Sequence, residues 1–184
     1  IKIKDQITNK EKNIIIGSQV APKFVKLLEQ DLVTVQQFAS SRLYGAKLFH
    51  PFIAGLKVPV ILDNSVGVDD GTAAVHVAPG CGPIDYEIGV KNGLEIYCPV
   101  SPDGKYSVGI EPVELENMPV VDGQIWVIKK LAQLGKMLFK NSITHSYPHC
   151  WRHKTPTIFR ATSQWFIAME KLRSDALTEI GRTQ

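Results

Sequence analysis

The sequence predicts an α+β fold in which a barrel-like mixed β-sheet carries helices on its outside. Two observations predict it. Many short apolar segments, some alternating between apolar and polar residues, are separated by turns rich in Pro and Gly, which is typical of short strands. Only a few segments have the length and periodicity of helices, so strands and helices mix without regular alternation. The 184 residues suffice for one domain with its own core.

The first predicted elements are a buried strand at residues 14–16 and a helix with Pro22 in its first turn. The apolar stripe of that helix consists of Phe24, Val25, Leu27 and Leu28. Residues 40–62 are interpreted as strands joined by turns, at 43–44, 47–49 and 58–62. Residues 69–71, Asp-Asp-Gly, predict a turn. Residues 72–78 alternate as a strand does, and one face of that strand carries Thr72, Ala74, His76 and Ala78.

The turn at residues 79–82 leads into a predicted short helix at 84–92, with Asp85 in its first turn and Gly93 after its end. Residues 101–105 predict a hairpin turn. Asp122 is the predicted N-cap of a helix that runs to Leu134 and is terminated by a Gly. Residues 145–159 are a predicted loop that leads into a strand. A last helical face consists of Leu172, Ala176, Leu177 and Ile180.

Composition and charge restrict the possible functions without deciding among them. A net charge of +3 and a pI near 8.7 permit contact with nucleic acid but do not require it. No apolar run is long enough to cross a bilayer, and the first residues lack a secretory pattern, so we expect no membrane partner. The three Cys are widely spaced and predict neither a disulfide framework nor a metal site, which favours a reducing, cytoplasmic compartment. The first and last residues suggest a piece of a longer polypeptide.

Two side chains across the turn at 79–82 are the candidates for chemistry. An acid in the first turn of a helix, such as Asp85, is commonly a cap that the helix dipole favours, and a lone His in a strand is commonly structural. The alternative is that both line one pocket. The carboxylate of Asp85 then holds a substrate ammonium group, and the small residues around His76 leave room for a ligand. Backbone amides near Gly80 can approach that ligand closely.

Two further readings of the residues remain open. Basic and aromatic side chains alternate between residues 140 and 160, which suits contact with RNA phosphates and bases, or a solvated loop with inward aromatics. These side chains are Lys140, Tyr147, Trp151, Arg152, His153, Lys154, Phe159 and Arg160. Cys81 is a weak candidate for a nucleophile because no third group that would activate it is evident.

Two long motifs resemble isoleucyl-tRNA synthetases. Residues 71–86, GTAAVHVAPGCGPIDY, are similar to the family stretch GTGAVHxAPGHGPxDY. Residues 145–166, HSYPHCWRHKTPTIFRATSQWF, are similar to HSYPxCWRHKTPxIFRATPQWF, which ends the editing domain inserted in the class I catalytic domain. Residues 44–52 and 100–104 also fit. The resemblance covers most of residues 40–170 and includes His76, which distinguishes this family from its valyl and leucyl relatives.

The resemblance implies an editing domain at residues 1–160 and the start of the return segment to the catalytic domain at 161–184. It implies hydrolysis of valine esters on the 3′ end of tRNA(Ile). Asp85 and His76 then act as the catalytic pair: the carboxylate holds the α-ammonium group, and the imidazole limits the size of the pocket. The implied substrate-binding residues are Thr72, Ala74, Ala78, Pro79 and Gly80, and the implied tRNA-binding residues are Trp151, Arg152 and Lys154.

Further implied partners are the tRNA and the rest of the synthetase chain, with ATP as a cofactor of the parent enzyme and none in this piece. The alternative is a module that binds the acceptor end without hydrolysing the ester. The sequence also departs from the family pattern. No Thr-rich stretch precedes Ile14, Ala73 replaces a Gly, Cys81 stands where His is common, and nucleotide-binding signatures are absent.

Overall fold

Short elements joined by long irregular segments form the fold. The structure is a computed structural model that describes residues 1–5, 8–69, 71–142 and 144–183. In these ranges the strands are β1 (Lys2–Lys4), β2 (Glu11–Asn13), β3 (Lys47–Phe49) and β4 (Lys57–Pro59). The α-helices are α1 (Ala21–Leu27), α2 (Pro83–Lys91), α3 (Val120–Gln133) and α4 (Glu170–Arg182), and single 3₁₀ turns lie at Ser40–Leu43 and Val113–Leu115.

The strands form two separate antiparallel pairs. β1 pairs with β2, with Ile3 opposite Lys12, and β3 pairs with β4, with Leu48 opposite Val58. The mixed α and β content agrees with the predicted class, but the described residues contain no closed barrel. Closure needs a continuous ladder of backbone hydrogen bonds, and Pro59 and Pro79 supply no N–H donor within the apolar segments that were expected to extend it.

The principal hydrophobic core packs α1 against the first strand pair. Its buried members are Ile3, Phe24, Val25 and Leu28, with Ile1, Ile14, Ile16 and Leu138 partly buried against them. Pro22 lies in the first turn of α1 as predicted. The predicted strand at residues 14–16 is wrong, because β2 ends at Asn13 and the side chain of Ile15 is 64% exposed.

A lysine connects this core to the end of α3. The ammonium group of Lys12 forms an ion pair with the buried carboxylate of Asp5 and donates a hydrogen bond to the carbonyl oxygen of Gly135 at 2.6 Å. A cation is favourable there because the C-terminal end of a helix carries partial negative charge. The β1–β2 pair is therefore held to the C-terminal end of α3.

Several local predictions are confirmed and others are wrong. Gly93 and Gly135 follow α2 and α3 with φ of 63° and 61°, the left-handed conformation expected after a helix. The hairpin turn at 101–105 forms, with the Ser101 N–H donating to the Lys105 carbonyl at 2.8 Å. Asp122 is not the N-cap of α3, because the helix begins at Val120 behind Pro119, which places Asp122 inside the first turn.

Other predictions for strands and turns also meet a mixed result. Residues 43–44 close a 3₁₀ turn instead of forming a strand, and β4 covers only part of 58–62. No strand follows residue 159 within the described range 144–183. The predicted turn at 69–71 includes Asp70, which lies outside the described residues.

The chain exposes more surface than a compact protein of its mass. Its accessible surface is 14507 Å² at 20.4 kDa, whereas a compact monomer of that mass exposes about 9,000 Å². The predicted apolar face of α4 exists, but Leu172, Leu177 and Ile180 are all more than half exposed. Of the described helices, none is long and apolar enough to span a membrane.

Candidate functional site

Residues 72–78 form an irregular segment and not the predicted strand. Ala73 adopts φ 56°, a left-handed conformation that interrupts extended backbone. The Thr72 carbonyl accepts the Gly17 N–H at 2.9 Å, and the Thr72 hydroxyl donates to the Ala74 carbonyl at 3.2 Å. These bonds hold Thr72 near Gly17, shortly before the start of α1.

Asp85 joins this irregular segment to α2. The helix starts behind Gly82, an extended N-cap residue, with Pro83 in its first turn. Oδ2 of Asp85 accepts the backbone N–H of Ala78 at 3.0 Å, and no side chain caps the helix. Among the described residues Oδ1 of Asp85 accepts no hydrogen bond. The common role of a first-turn acid, capping its own helix, is therefore not the role of Asp85.

α2 is also held in place near its C-terminal end. A side-chain carbon placed on Gly89 lies 2.6 Å from Cβ of Pro79, so only a glycine lets the helix pack this closely on the turn. Lys91 forms an ion pair with Asp63 at 2.8 Å. That contact and hydrogen bonds from the Ser65 N–H and hydroxyl lower the pKa of Asp63 to about 2.

Two further segments surround the turn at 78–82. A side-chain carbon on Gly80 collides with the backbone carbonyl of Tyr97, so the turn lies directly on residues 97–98. The Gly80 carbonyl accepts the Ala161 N–H at 2.8 Å, and Arg160 Nε donates to the Val100 carbonyl at 2.6 Å. One donor of the Arg160 guanidinium group thus joins residue 160 to residue 100.

His76 is exposed and lies near a second imidazole. Burial, and secondarily the charge of His76, lower the pKa of His50. Nδ1 of His50 accepts the backbone N–H of Ile53 at 3.0 Å, which leaves the proton of the neutral ring on Nε2. The described residues provide no hydrogen bond between His76 and Asp85. The sequence reasoning did not single out His50, since it lies far from His76 in the chain.

Aromatic rings connect His50 to α3. The Phe52 ring packs edge-on against His50 with centroids 4.5 Å apart and against Trp126 with centroids 5.8 Å apart. Edge-to-face pairs at these separations are favourable contacts. These ring contacts connect His50, in the 50–53 turn, to Trp126 of α3.

Cys81 does not have the environment of a nucleophile. Burial raises its pKa, and the nearby Cys98 thiol and the charge of Asp85 raise it further. Burial and the charge of Cys81 also raise the pKa of Tyr106, whose ring packs on Gly123 of α3. A thiol that hydrolyses an ester at neutral pH needs a lowered pKa, so the Cys81 hydrolase hypothesis loses its chemical basis at that pH.

Comparison with known proteins gives the family. No family model matches the chain. It is 42% identical over 176 residues to the isoleucine–tRNA ligase of Thioalkalivibrio sulfidiphilus, which covers 95% of this chain. It is 47% identical over 150 residues, or 80% of the chain, to that of Erwinia tasmaniensis, and 49% identical over 144 residues, or 77%, to that of Methylococcus capsulatus. The chain belongs to the isoleucyl-tRNA synthetase family.

The match is to a segment of the synthetase. The chain spans only 18%, 16% and 15% of the length of these three isoleucine–tRNA ligases. Both motifs, at residues 71–86 and 145–166, lie within the described part of this synthetase segment.

In this synthetase segment residues 147–157 form a tight loop. Its two sides meet at an antiparallel bridge between His149 and Pro156, and the Cys150 N–H donates to the Thr155 carbonyl at 2.8 Å. At the tip, the guanidinium carbon of Arg152 lies 4.8 Å from the centre of the Trp151 ring, which is 74% exposed. Lys154 has φ 58°, so the loop turns sharply there.

The structure brings together part of the expected synthetase site. Ala78, Pro79, Gly80 and Asp85 meet at the turn, whereas the hydrogen bonds of Thr72 join it to Gly17 and Ala74. Two depressions of the described chain lie elsewhere, near the N-terminal strand pair, with volumes of about 430 and 350 Å³. Within the described ranges, no three His, Cys, Asp or Glu side chains are arranged to hold a metal.

Proposed function

We propose that this segment is the editing site of its synthetase and hydrolyses the ester bond of valine that has been mistakenly attached to tRNA(Ile). Membership in the isoleucyl-tRNA synthetase family and the two motifs support the proposal. The observation that carries it is the position of Asp85. Its carboxylate is anchored through one oxygen to Ala78 N–H, while the other oxygen accepts no hydrogen bond from the described residues.

Asp85 binds the α-ammonium group of the aminoacyl ester in this mechanism. An ammonium donates charge-assisted hydrogen bonds, which are stronger than those between neutral groups. The bond from Ala78 fixes the carboxylate in one orientation, so its second oxygen points at a constant position. The reactive ester carbonyl is thereby held at a defined distance from the turn at 78–82.

His76 limits the size of the accepted side chain. Valine and isoleucine differ by one methylene group, a difference that a single binding step discriminates weakly. The imidazole of His76 restricts the space for that extra carbon. Water then attacks the ester, and N–H donors of the glycine-containing turn stabilise the developing negative charge.

The activity of the longer protein is also part of the proposal. Its relatives are named isoleucine–tRNA ligases. We infer that the longer protein joins isoleucine to tRNA(Ile) with ATP in the cytoplasm.

The residues of this segment have proposed roles of their own. We infer that the editing pocket is lined by Thr72, Ala74, Ala78, Pro79 and Gly80. Trp151, Arg152 and Lys154 bind the acceptor end. Residues 1–160 form the editing domain, and 161–184 return toward the catalytic domain.

Deacylation of two substrates tests this function. The protein carrying this sequence, at its natural length, is mixed with tRNA(Ile) charged with valine or with isoleucine, and ester hydrolysis is followed. We expect hydrolysis of the valyl ester alone. The variant His76→Ala is expected to hydrolyse the isoleucyl ester as well, because the restricting side chain is gone. A protein that leaves the valyl ester intact contradicts the proposal.

A second function is favoured by one observation, the exposed Trp151 ring with Arg152 stacked over it. This pair suits stacking on an unpaired base next to a phosphate, without hydrolysis. A binding module of this kind holds charged tRNA without deacylating it, and its affinity falls steeply with salt. Deacylation by the unaltered protein separates the two functions, because only the editing site hydrolyses the valyl ester. Fluorescence anisotropy with Trp151→Ala tests the binding role of the Trp151 ring in either case.

A further inference from the structure

Two cysteines meet beside the turn that precedes α2. A side-chain carbon placed on Gly80 lies 2.8 Å from Cβ of Cys98, so Cys98 lies against the residue next to Cys81. The thiol of Cys98 is close enough to the thiol of Cys81 to affect its protonation. A disulfide requires Cβ atoms about 3.5–4.5 Å apart, so its formation also tests how closely Cβ of Cys81 approaches Cβ of Cys98.

The two thiols differ in access. Cys81 is exposed and Cys98 is half-buried, so a small oxidant reaches Cys81 first. The third cysteine, Cys150, lies in the 147–157 loop with its sulfur 3.4 Å from Nδ1 of His153, in a different part of the described chain. An exposed thiol next to a second thiol is the usual arrangement of a reversible redox pair.

We propose that Cys81 and Cys98 form a redox-sensitive pair that a hydroperoxide converts to a disulfide. The Cys81 thiolate attacks the terminal peroxide oxygen, the O–O bond breaks, and water or an alcohol leaves. Cys81 then carries a sulfenic acid. The Cys98 thiol attacks the Cys81 sulfur, the S–O bond breaks, and a second water leaves. The two sulfurs together lose two electrons, and the peroxide gains them.

The groups around Cys81 make this oxidation slow at neutral pH. Burial, the Cys98 thiol and the charge of Asp85 of α2 raise its pKa above its ordinary value of 9.0, and the Tyr106 hydroxyl also lies near it. Only the thiolate reacts with peroxide or exchanges with disulfides. Below the pKa, each unit of pH increases the thiolate fraction about tenfold, so the oxidation rate rises about tenfold per unit.

The disulfide ties the turn at 78–82 to residues 97–98 covalently. Gly80 already packs on the Tyr97 carbonyl, and the new bond prevents the two segments from separating. The modification does not depend on the proposed editing function, because it requires only the proximity of the two thiols.

Peptide mapping tests the pair. The protein at its natural length is treated with hydrogen peroxide, its free thiols are alkylated, and trypsin cuts after Lys57, Lys91 and Lys105. We expect peptides 58–91 and 92–105 to be joined and two hydrogen atoms lighter than their sum, and to separate on reduction. The linked form accumulates about tenfold faster for each unit that the pH is raised toward the Cys81 pKa.

Three variants provide the controls. Cys81→Ser and Cys98→Ser each abolish the linked peptides, and Cys150→Ser leaves them unchanged. The inference is overturned if peptides 58–91 and 92–105 are recovered singly after peroxide treatment at alkaline pH. It is also overturned if either links to the Cys150 peptide instead. Both outcomes are independent of whether the valyl ester is hydrolysed, so a failure of this proposal is distinguishable from a failure of the editing proposal.

Discussion

The carboxylate of Asp85, in the first turn of α2, accepts the backbone N–H of Ala78 at 3.0 Å across the turn that separates them. A single hydrogen bond therefore fixes where the helix starts relative to the segment that carries His76. The same bond orients the carboxylate. Loss of this hydrogen bond changes the position of α2, whereas loss of the negative charge alone changes only what the side chain of residue 85 can bind.

The substitution Asp85→Asn separates these two effects. The amide oxygen of Asn still accepts the Ala78 N–H, but the negative charge that binds an ammonium group is absent. A hydrogen bond to a charged group contributes about 1.5–3 kcal/mol, so we expect hydrolysis of the valyl ester to fall about 10- to 150-fold. The rate is measured as release of valine from tRNA(Ile).

Asp122→Asn is the matched control, because Asp122 is also an acid in the first turn of a helix, α3, but is exposed and lies outside the candidate site. It should leave hydrolysis unchanged. Equal losses in both variants would mean that the first-turn charge acts on helix stability and not on substrate binding.

Ala73→Gly is expected to stabilise the chain. Ala73 holds φ 56°, which costs about 1–2 kcal/mol for a residue with a Cβ and little for glycine. The greater freedom of glycine in the unfolded chain offsets about 0.4–1 kcal/mol of this. The free energy of unfolding, from urea titration, should rise by about 0.5–1 kcal/mol. Ala74→Gly, at a residue without positive φ, should lower it instead.

Gly80→Ala is expected to destabilise the site. The added Cβ collides with the Tyr97 carbonyl, and neither the carbonyl nor the turn is free to move without losing its packing. Forcing a methyl group into a packed contact costs about 1–3 kcal/mol, measurable by urea titration. At Gly67 an added Cβ meets no atom within 4 Å, so Gly67→Ala should be close to neutral. A neutral result at Gly80 contradicts the close packing of the turn on residues 97–98.

The lowered pKa of His50 predicts a dependence of stability on pH. Its folded pKa lies below its unfolded value near 6.5, so between the two values the unfolded chain binds more protons. The free energy of unfolding therefore decreases as the pH falls through 6.5 toward the folded pKa. His50→Asn keeps an acceptor for the Ile53 N–H and should reduce this decrease between about pH 7.5 and about pH 5.

Features set by neighbouring residues were predictable from the sequence, and features set by distant contacts were not. The ends of α2 and α3 depend on Gly93 and Gly135 and were predicted correctly, since a glycine after a helix acts locally. Residues 72–78 alternate between apolar and polar residues as a strand does. A strand also needs a pairing partner, however, and the left-handed backbone of Ala73 turns the segment away from an extended course. Asp122 has the residue type of an N-cap, yet Pro119 fixes the helix start one turn earlier.

The candidate site shows the same division. The motif at residues 71–86 placed Asp85 correctly at the start of α2. The neighbours of its turn come from residues 97–98 and 160–161, whose approach depends on packing that no local pattern encodes. His50 and Cys98 were missed for this reason, because nothing within a few residues of either indicates that it lies beside His76 or Cys81.

The contact between Lys12 and Gly135 has a consequence during synthesis on the ribosome. The lysine emerges early, but its carbonyl partner is 123 positions later in the chain. At about 5–20 residues per second, the nascent chain waits about 6–25 s before that carbonyl exists. Throughout this interval the β1–β2 hairpin carries a lysine whose second partner has not yet been made. The hairpin therefore reaches its final form only after the turn at 78–82, with Cys81, and the later Cys98 have been synthesised.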